Sequence, residues 1–218
     1  MRWWRRRRRT KPVELDVLAA YEQWVDDYTP EAHNPLMALE ERAMLELMPP
    51  LAGQRALDLA CGSGRYLRRL GARAIGLDFS RPMLARAAAF GRPLAQADLL
   101  RLPLAAGCCD LVVCGLAVGH VPGLGQALSE MGRVLAPGGV VVYSDLHPFG
   151  ALAGWKRSFR GRDGREYAAE HHIHLYSDHV GACRAAGLVI TAASEPRIEF
   201  EHPFRGYPAV LVIRAQKQ

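Results

Sequence analysis

The sequence lacks any run of roughly eighteen apolar residues, which excludes a membrane-spanning helix. No apolar stretch follows its first residues either. Glu14 and Asp16 interrupt at once, so no secretory signal is expected. Cysteine is scarce. The five present, Cys61, Cys108, Cys109, Cys114 and Cys183, form no two-pair zinc spacing. Their odd number fits a reducing compartment, so a cytoplasmic protein is expected. Cys61 and Cys114 fall at strand ends, where a small thiol is ordinary core filling. No activating base pattern adjoins any of the five, which argues against a catalytic thiol.

Acid is absent from residues 1–11, which hold Arg2, Arg5 to Arg9 and Lys11. The rest of the chain has 21 basic against 22 acidic residues, so the net charge of +6 belongs to this leader. A near-neutral body offers no basic face of the kind nucleic-acid enzymes use, and nucleic acid is not expected as a partner. Residues 1–12 read as a disordered, solvated block. The alternative, a contact with nucleic acid or an anionic membrane anchored by Trp3 and Trp4, stays open. With 218 residues and 50% hydrophobic content, the remainder can bury one sizeable core. One domain over 13–218 is expected, as a monomer or homodimer.

What is present is organised around Arg55 to Tyr66. The buried run Ala56 to Ala60 reads as a strand, Cys61-Gly62-Ser63-Gly64 as a turn, and Tyr66, Leu67 and Leu70 as a helical pattern. Gly62 and Gly64 let a ligand lie against the backbone. The helix would point free N–H groups at it. A pyrophosphate loop carries a third glycine and no carboxylate at the strand end. Here the third glycine is missing and Asp58 stands in the strand. Asp58 suits a ligand with a positive amino group. Asp78, 20 residues later, ends the next strand-like run, the usual place for a carboxylate that grips ribose hydroxyls. Asp98 follows Pro93 to Ala97 at a third strand end. A ligand with an ammonium, a ribose and an adenine would use all three.

The rest alternates. Residues 13–28 carry helical spacing (Val13, Val17, Tyr21, Trp24, Tyr28), and a second helix spans about Leu36 to Leu47. Ser80 caps a helix over Met83 to Ala89, with Pro82 early in it. Asp110 to Cys114 is a strand and Pro122 to Leu135 a helix. Gly138-Gly139 turns the chain into the strand Val140 to Tyr143. A helix over Ser177 to Ala186 and strands over Leu188 to Ala193 and Ala209 to Ile213 complete the sheet. Such alternation implies an α/β, doubly wound, mostly parallel sheet, with ligands at the carboxyl ends of its strands. Residues 146–176 interrupt the rhythm. Arg162-Asp163-Gly164-Arg165 reads as their hairpin turn.

Leu57 to Gly64, Gly76 to Ser80, Gln96 to Leu99 and Leu135 to Gly139 together resemble the class I S-adenosylmethionine-dependent methyltransferases. The subgroup of ubiquinone/menaquinone C-methyltransferases and natural-product methyltransferases is the most similar. Ala60 stands where the general motif has its first glycine. The resemblance implies a Rossmann-like seven-stranded sheet with an N-terminal helical lid over 13–50. The 146–176 insertion would lie beside the acceptor. It implies S-adenosylmethionine as cofactor, held by Tyr28, Asp58, Ala60, Cys61, Gly62, Gly64, Asp78, Phe79, Met83, Asp98, Leu99 and Gly115. Tyr28 would close over the cofactor, or else be a plain core tyrosine.

The expected activity is methyl transfer to a small-molecule acceptor in a biosynthetic pathway, with oxygen favoured over carbon or nitrogen. The alternatives are an RNA- or protein-directed enzyme using the basic tail, and a non-catalytic binder of the cofactor. A pyridine-nucleotide dehydrogenase fits less well, because of Asp58. A hydroxyl acceptor needs a base, and His147, His120 and Asp145 follow strand ends that bracket the methyl. His171, His172, His174 and His179 cluster in sequence, and His172 and His174 would face the same side of a strand. No Cys or carboxylate completes a standard ligand set, so no metal is expected.

Overall fold

The computed structural model describes residues 11–218. The expectation for the basic leader falls, but for Lys11 and Pro12, outside the described residues. The elements in chain order are β1 (Val13–Leu15), α1 (Val17–Trp24), α2 (Pro35–Leu47), β2 (Ala56–Leu59), β3 (Ile75–Asp78), α3 (Arg81–Ala87), β4 (Leu94–Gln96) and β5 (Cys109–Cys114). Then follow α4 (Leu124–Val134), β6 (Leu135–Leu146), α5 (Pro148–Leu152), β7 (Ser158–Arg160), β8 (Glu166–Ala169), α6 (Tyr176–Ala185), β9 (Leu188–Ser194) and β10 (Val210–Lys217).

Seven strands form one sheet in the order β4-β3-β2-β5-β6-β10-β9. β10 is antiparallel to both neighbours, and the other pairs are parallel. This is the expected Rossmann-like sheet. The central strands are apolar but for Asp58 in β2, Asp110 in β5 and Ser144 and Asp145 in β6, because both faces are covered. Leu57 and Leu59, Val112 and Cys114, and Val141 and Tyr143 pack on one face with α4 residues. Ala56, Leu111, Val113, Val140 and Val142 pack on the other with α2. Asp58 shares the parity of Ala56, so it points to the α2 face. The chain order reverses direction between β2 and β5, which makes their carboxyl ends a topological switch point. No helix among the described residues is long and apolar enough to cross a membrane.

Helix starts follow their caps. Asp16 accepts from the Ala19 amide at 3.0 Å, Asn34 from Met37 at 2.9 Å, and Ser80 from Met83 at 3.4 Å. Three expectations are corrected. Val13 to Leu15 is not helical. It is an edge strand paired in parallel with β8, in a separate sheet of order β1-β8-β7. The segment before α2 is therefore tied to residues 146–176, and Trp24 stacks on Phe159 at 4.7 Å. Second, residues 62–70 are hydrogen-bonded turns, not a regular helix. Their bonds alternate between four-residue (Arg68 to Gly64, 3.1 Å) and three-residue reach (Arg69 to Tyr66, 2.8 Å), because Arg65 and Tyr66 are drawn inward to Glu40. Third, Gly138 does not precede a strand. It lies inside β6 at φ +76°, beside a register slip against β5. The Arg162 to Arg165 turn joins β7 to β8 as expected.

Candidate active site

A cavity of about 290 Å³ opens at the switch point. Its floor is the set of strand ends: Leu59, Ala60 and Gly62 after β2, Asp78 and Phe79 after β3, Asp98 and Leu99 after β4, and Gly115 after β5. Met83 lines it from α3, and Val17, Leu18 and Tyr21 of α1, with Tyr28, cover it. Nine of the expected cofactor residues thus meet here: Tyr28, Ala60, Gly62, Asp78, Phe79, Met83, Asp98, Leu99 and Gly115. Asp58, Cys61 and Gly64 do not line it. Gly64 lacks a Cβ to admit Phe90, whose ring would lie 2.7 Å from one. That corrects its expected role against a ligand. Cys61 is buried with its Sγ against Gly76, as core filling.

Among the described residues, two other than glycine stand in the left-handed region, Ala60 at φ 54° and Leu116 at φ 56°. Both line the cavity, so backbone strain is concentrated there. Ala60→Gly should relieve more strain than it adds chain entropy, stabilising the fold by about 0.5–1 kcal/mol. A melting temperature that falls on this change would contradict the strain.

The acids differ. Asp78 accepts from the Gly62 amide at 2.7 Å and from the Ser80 amide at 2.8 Å. Burial raises its carboxyl, and those amides oppose the shift. Asp98 accepts from Leu100 at 2.8 Å. Asp58 is 1% exposed, and neither of its oxygens has a hydrogen-bond partner. Burial pushes it up to about 8, and the Leu67 amide opposes this without reaching hydrogen-bond geometry.

Beneath the cavity lies a buried network that sequence reasoning missed. Glu40 Oε2 accepts from Arg65 at 2.6 Å and from Tyr66 at 2.8 Å, and Oε1 accepts from Ser144 at 2.5 Å. Ser144 Oγ accepts in turn from the Leu116 amide at 2.8 Å. The Tyr66 ring presses on Gly115 and leaves no room for a Cβ. Glu40 thereby fixes the turn after β2 and the loop after β5 together.

The base candidates separate. His120 lines the cavity. Its Nδ1 lies 3.0 Å from the Glu170 carbonyl, so it donates there, and Nε2 accepts from Tyr21 and Arg157. Burial, then the Arg157 charge, hold this ring well below the usual histidine range. Its lone pair is engaged, so it is a poor base. His147 lines no cavity described here, which corrects its expected place on the acceptor wall. Its Nδ1 caps α5 by accepting from Phe149 at 3.2 Å, and Nε2 lies 3.2 Å from Glu195. Asp145 is 3% exposed and lines neither cavity. Burial raises it to about 7, against Arg157 and the Leu146 amide. His172 and His174 lie in an irregular segment, not on a strand. His174 contacts the Val121 carbonyl, and His179 lies buried against Tyr143.

Comparison with known proteins agrees with this geometry. Residues 57–143 match the family model described as a methyltransferase domain. The chain is 37% identical over 129 residues to a malonyl-[acyl-carrier protein] O-methyltransferase of Pectobacterium atrosepticum, covering 56% of this chain and 50% of that one. It is 37% identical over 118 residues to a demethylmenaquinone methyltransferase of Thermus thermophilus, covering 49% and 54%. The chain thus spans about half the length of these curated relatives. A crystal structure of an S-adenosylmethionine dependent methyltransferase from Mesorhizobium loti superposes with a TM-score of 0.67 at 24% identity, over 82% of this chain and 98% of that one. The sheet order, the strand-end acids and these matches together make the chain similar to the class I S-adenosylmethionine-dependent methyltransferases, with a methyltransferase domain matched over residues 57–143.

Proposed function

We propose that the protein transfers a methyl group from S-adenosylmethionine to an oxygen of a small-molecule acceptor, as a biosynthetic enzyme of the cytoplasm. One observation carries the reading: a cavity at the switch point, floored by Asp78 and Asp98, with the unpartnered Asp58 buried in β2, the strand whose end supplies Leu59 and Ala60 to that floor. S-adenosylmethionine supplies a methyl activated on a sulfonium, together with an ammonium, a ribose and an adenine to be held.

The residues suit those groups. The two bare oxygens of Asp58 are the natural counter-charge for an ammonium. A buried carboxyl without a partner is costly, and a ligand that satisfies it regains that cost on binding. Asp78 stands at the ribose position, with its orientation fixed by the Gly62 and Ser80 amides. Phe79, Met83 and Leu99 give apolar surface for the adenine, and Asp98 a polar edge. Tyr21 and Tyr28 cover the site and exclude water, which such a displacement requires. The five cysteines are free, in accord with a reducing compartment.

Calorimetric titration tests the cofactor roles. Asp78→Ala should weaken S-adenosylmethionine binding by about 1–3 kcal/mol, the cost of lost ribose hydrogen bonds. Wild-type protein that binds NAD and not S-adenosylmethionine would overturn the reading.

A further inference from the structure

A second, larger cavity of about 670 Å³ adjoins the first, and Tyr21, Tyr28 and Leu116 line both. Its apolar wall is aromatic: Trp24, Trp155, Phe200 and Phe204. Trp155 and Phe204 meet edge to face at 5.5 Å. Rings that hold each other in this way make a preformed slot for a flat or apolar body.

One charge is set deep in this wall. The Arg157 side chain is 9% exposed. Its Nη1 donates to the Leu116 carbonyl at 2.6 Å and meets His120 and Tyr21. Its Nη2 makes no hydrogen bond. The nearest carboxylate oxygen, on Asp145, is 3.9 Å away, beyond hydrogen-bond reach. Burial also keeps Asp145 partly protonated near neutral pH. A buried guanidinium with a free donor and an incomplete counter-charge favours an incoming anion. Lys11 and Lys156 border the cavity at exposed positions, and Glu166 at a half-buried one.

A free base is what the two cavities lack among their histidines. His120 has its lone pair engaged, as described. His202 lines the second cavity, and its Nδ1 accepts from the Phe204 amide at 3.2 Å, so the neutral ring presents only an N–H. A nucleophile that must first lose a proton finds no histidine to take it.

We propose that the second cavity holds the methyl acceptor, and that the reacting oxygen arrives already ionised, as a carboxylate or phenolate on an aromatic or other apolar body, paired with Arg157. The proposal rests on the methyltransferase reading above. In the step, a lone pair of the anionic oxygen attacks the methyl carbon of S-adenosylmethionine. The O–C bond forms as the C–S bond breaks, and its electron pair neutralises the sulfonium. An anion and a cation give a neutral ester or ether and a neutral thioether. No proton moves, so no base is required.

The test uses the full chain with bound S-adenosylhomocysteine. It is titrated with 3-phenylpropanoate, 4-ethylphenol and 3-phenylpropanol, and read by quenching of indole fluorescence, since Trp24 and Trp155 line the cavity. The acid should bind at least about tenfold more tightly than the alcohol, a bound set by one charge-assisted hydrogen bond. Arg157→Gln should remove that preference, and Arg157→Lys should keep part of it. S-adenosylhomocysteine affinity, measured in each variant, reports whether the fold survives.

Turnover against pH separates the two anions. A carboxylate substrate gives a flat profile from pH 6 to 9, whereas a phenol gives a rise of about tenfold per unit, because its own pKa is near 10. An alcohol that binds as tightly as the acid, or a preference that persists in Arg157→Gln, overturns the proposal. If S-adenosylhomocysteine fails to bind wild-type protein, the methyltransferase reading falls and takes this inference with it. If it binds and no anion shows a preference, this inference alone falls.

Discussion

Glu40→Ala is expected to destabilise the protein by about 3–5 kcal/mol, the largest loss of any single change considered. The cause is what remains. Arg65 is 6% exposed at its side chain and Glu40 is fully buried, so the variant leaves a buried cation without its partner. Tyr66 and Ser144 lose their acceptor as well. For a domain of this size the loss corresponds to a fall of roughly 10 °C in melting temperature. Glu40→Gln keeps the shape and one acceptor, and should lose less. Differential scanning calorimetry measures both. A change below about 1 kcal/mol would mean that Arg65 finds another partner, and that the network does not hold the turn after β2.

The second large effect is on binding. Asp58→Asn should weaken S-adenosylmethionine binding about tenfold to a hundredfold, the range for a charge-assisted hydrogen bond, and should abolish its pH dependence. The sign follows from burial. Asp58 is raised to about 8 in the folded protein, from an ordinary 3.8. Between those values the folded carboxyl holds a proton that the unfolded one has released. Its contribution to stability is therefore greatest in acid and is lost as pH rises toward 8. An ammonium ligand favours the ionised form, so binding at pH 7 should release close to one proton, and affinity should rise from pH 5 toward 8. Titration in two buffers of different ionisation enthalpy reads the proton directly. Affinity that is flat with pH in wild-type protein would remove Asp58 from the ammonium site.

The sheet was legible because its strands are buried on both faces. Ala56 to Leu59, Cys109 to Cys114 and Val140 to Tyr143 are apolar but for Asp58 and Asp110, and a run of that length bounded by glycine has few other readings. The turns at 62–70 were not legible as turns. Tyr66, Leu67 and Leu70 are buried whether the backbone is a regular helix or not, so periodicity cannot separate the two. β1 is three residues long, too short to interrupt a helical pattern.

The cavity floor was readable from acids at strand ends, a local signal. Arg157, Tyr21 and Glu40 were not. Arg157 meets Leu116 across 41 positions, Tyr21 meets His120 across 99, and Glu40 meets Ser144 across 104. No spacing rule reaches that far. His147 was misplaced for a related reason. Its position after a strand end is right, but a cap hydrogen bond to Phe149 turns the ring to α5.

The two cavities share Tyr21, Tyr28 and Leu116 but otherwise draw on different parts of the chain. The first is floored by the ends of sheet strands, which cannot change without disturbing the core. The second takes Gly154 to Ser158 from the insertion and Phe200, His202, Pro203 and Phe204 from the segment before β10, and these lie outside the strands of the central sheet. On the proposal that the first cavity takes the donor and the second the acceptor, the two functions fall largely to separate segments. Descendants of this chain can acquire new acceptors by changing two surface segments while the strand ends are inherited intact.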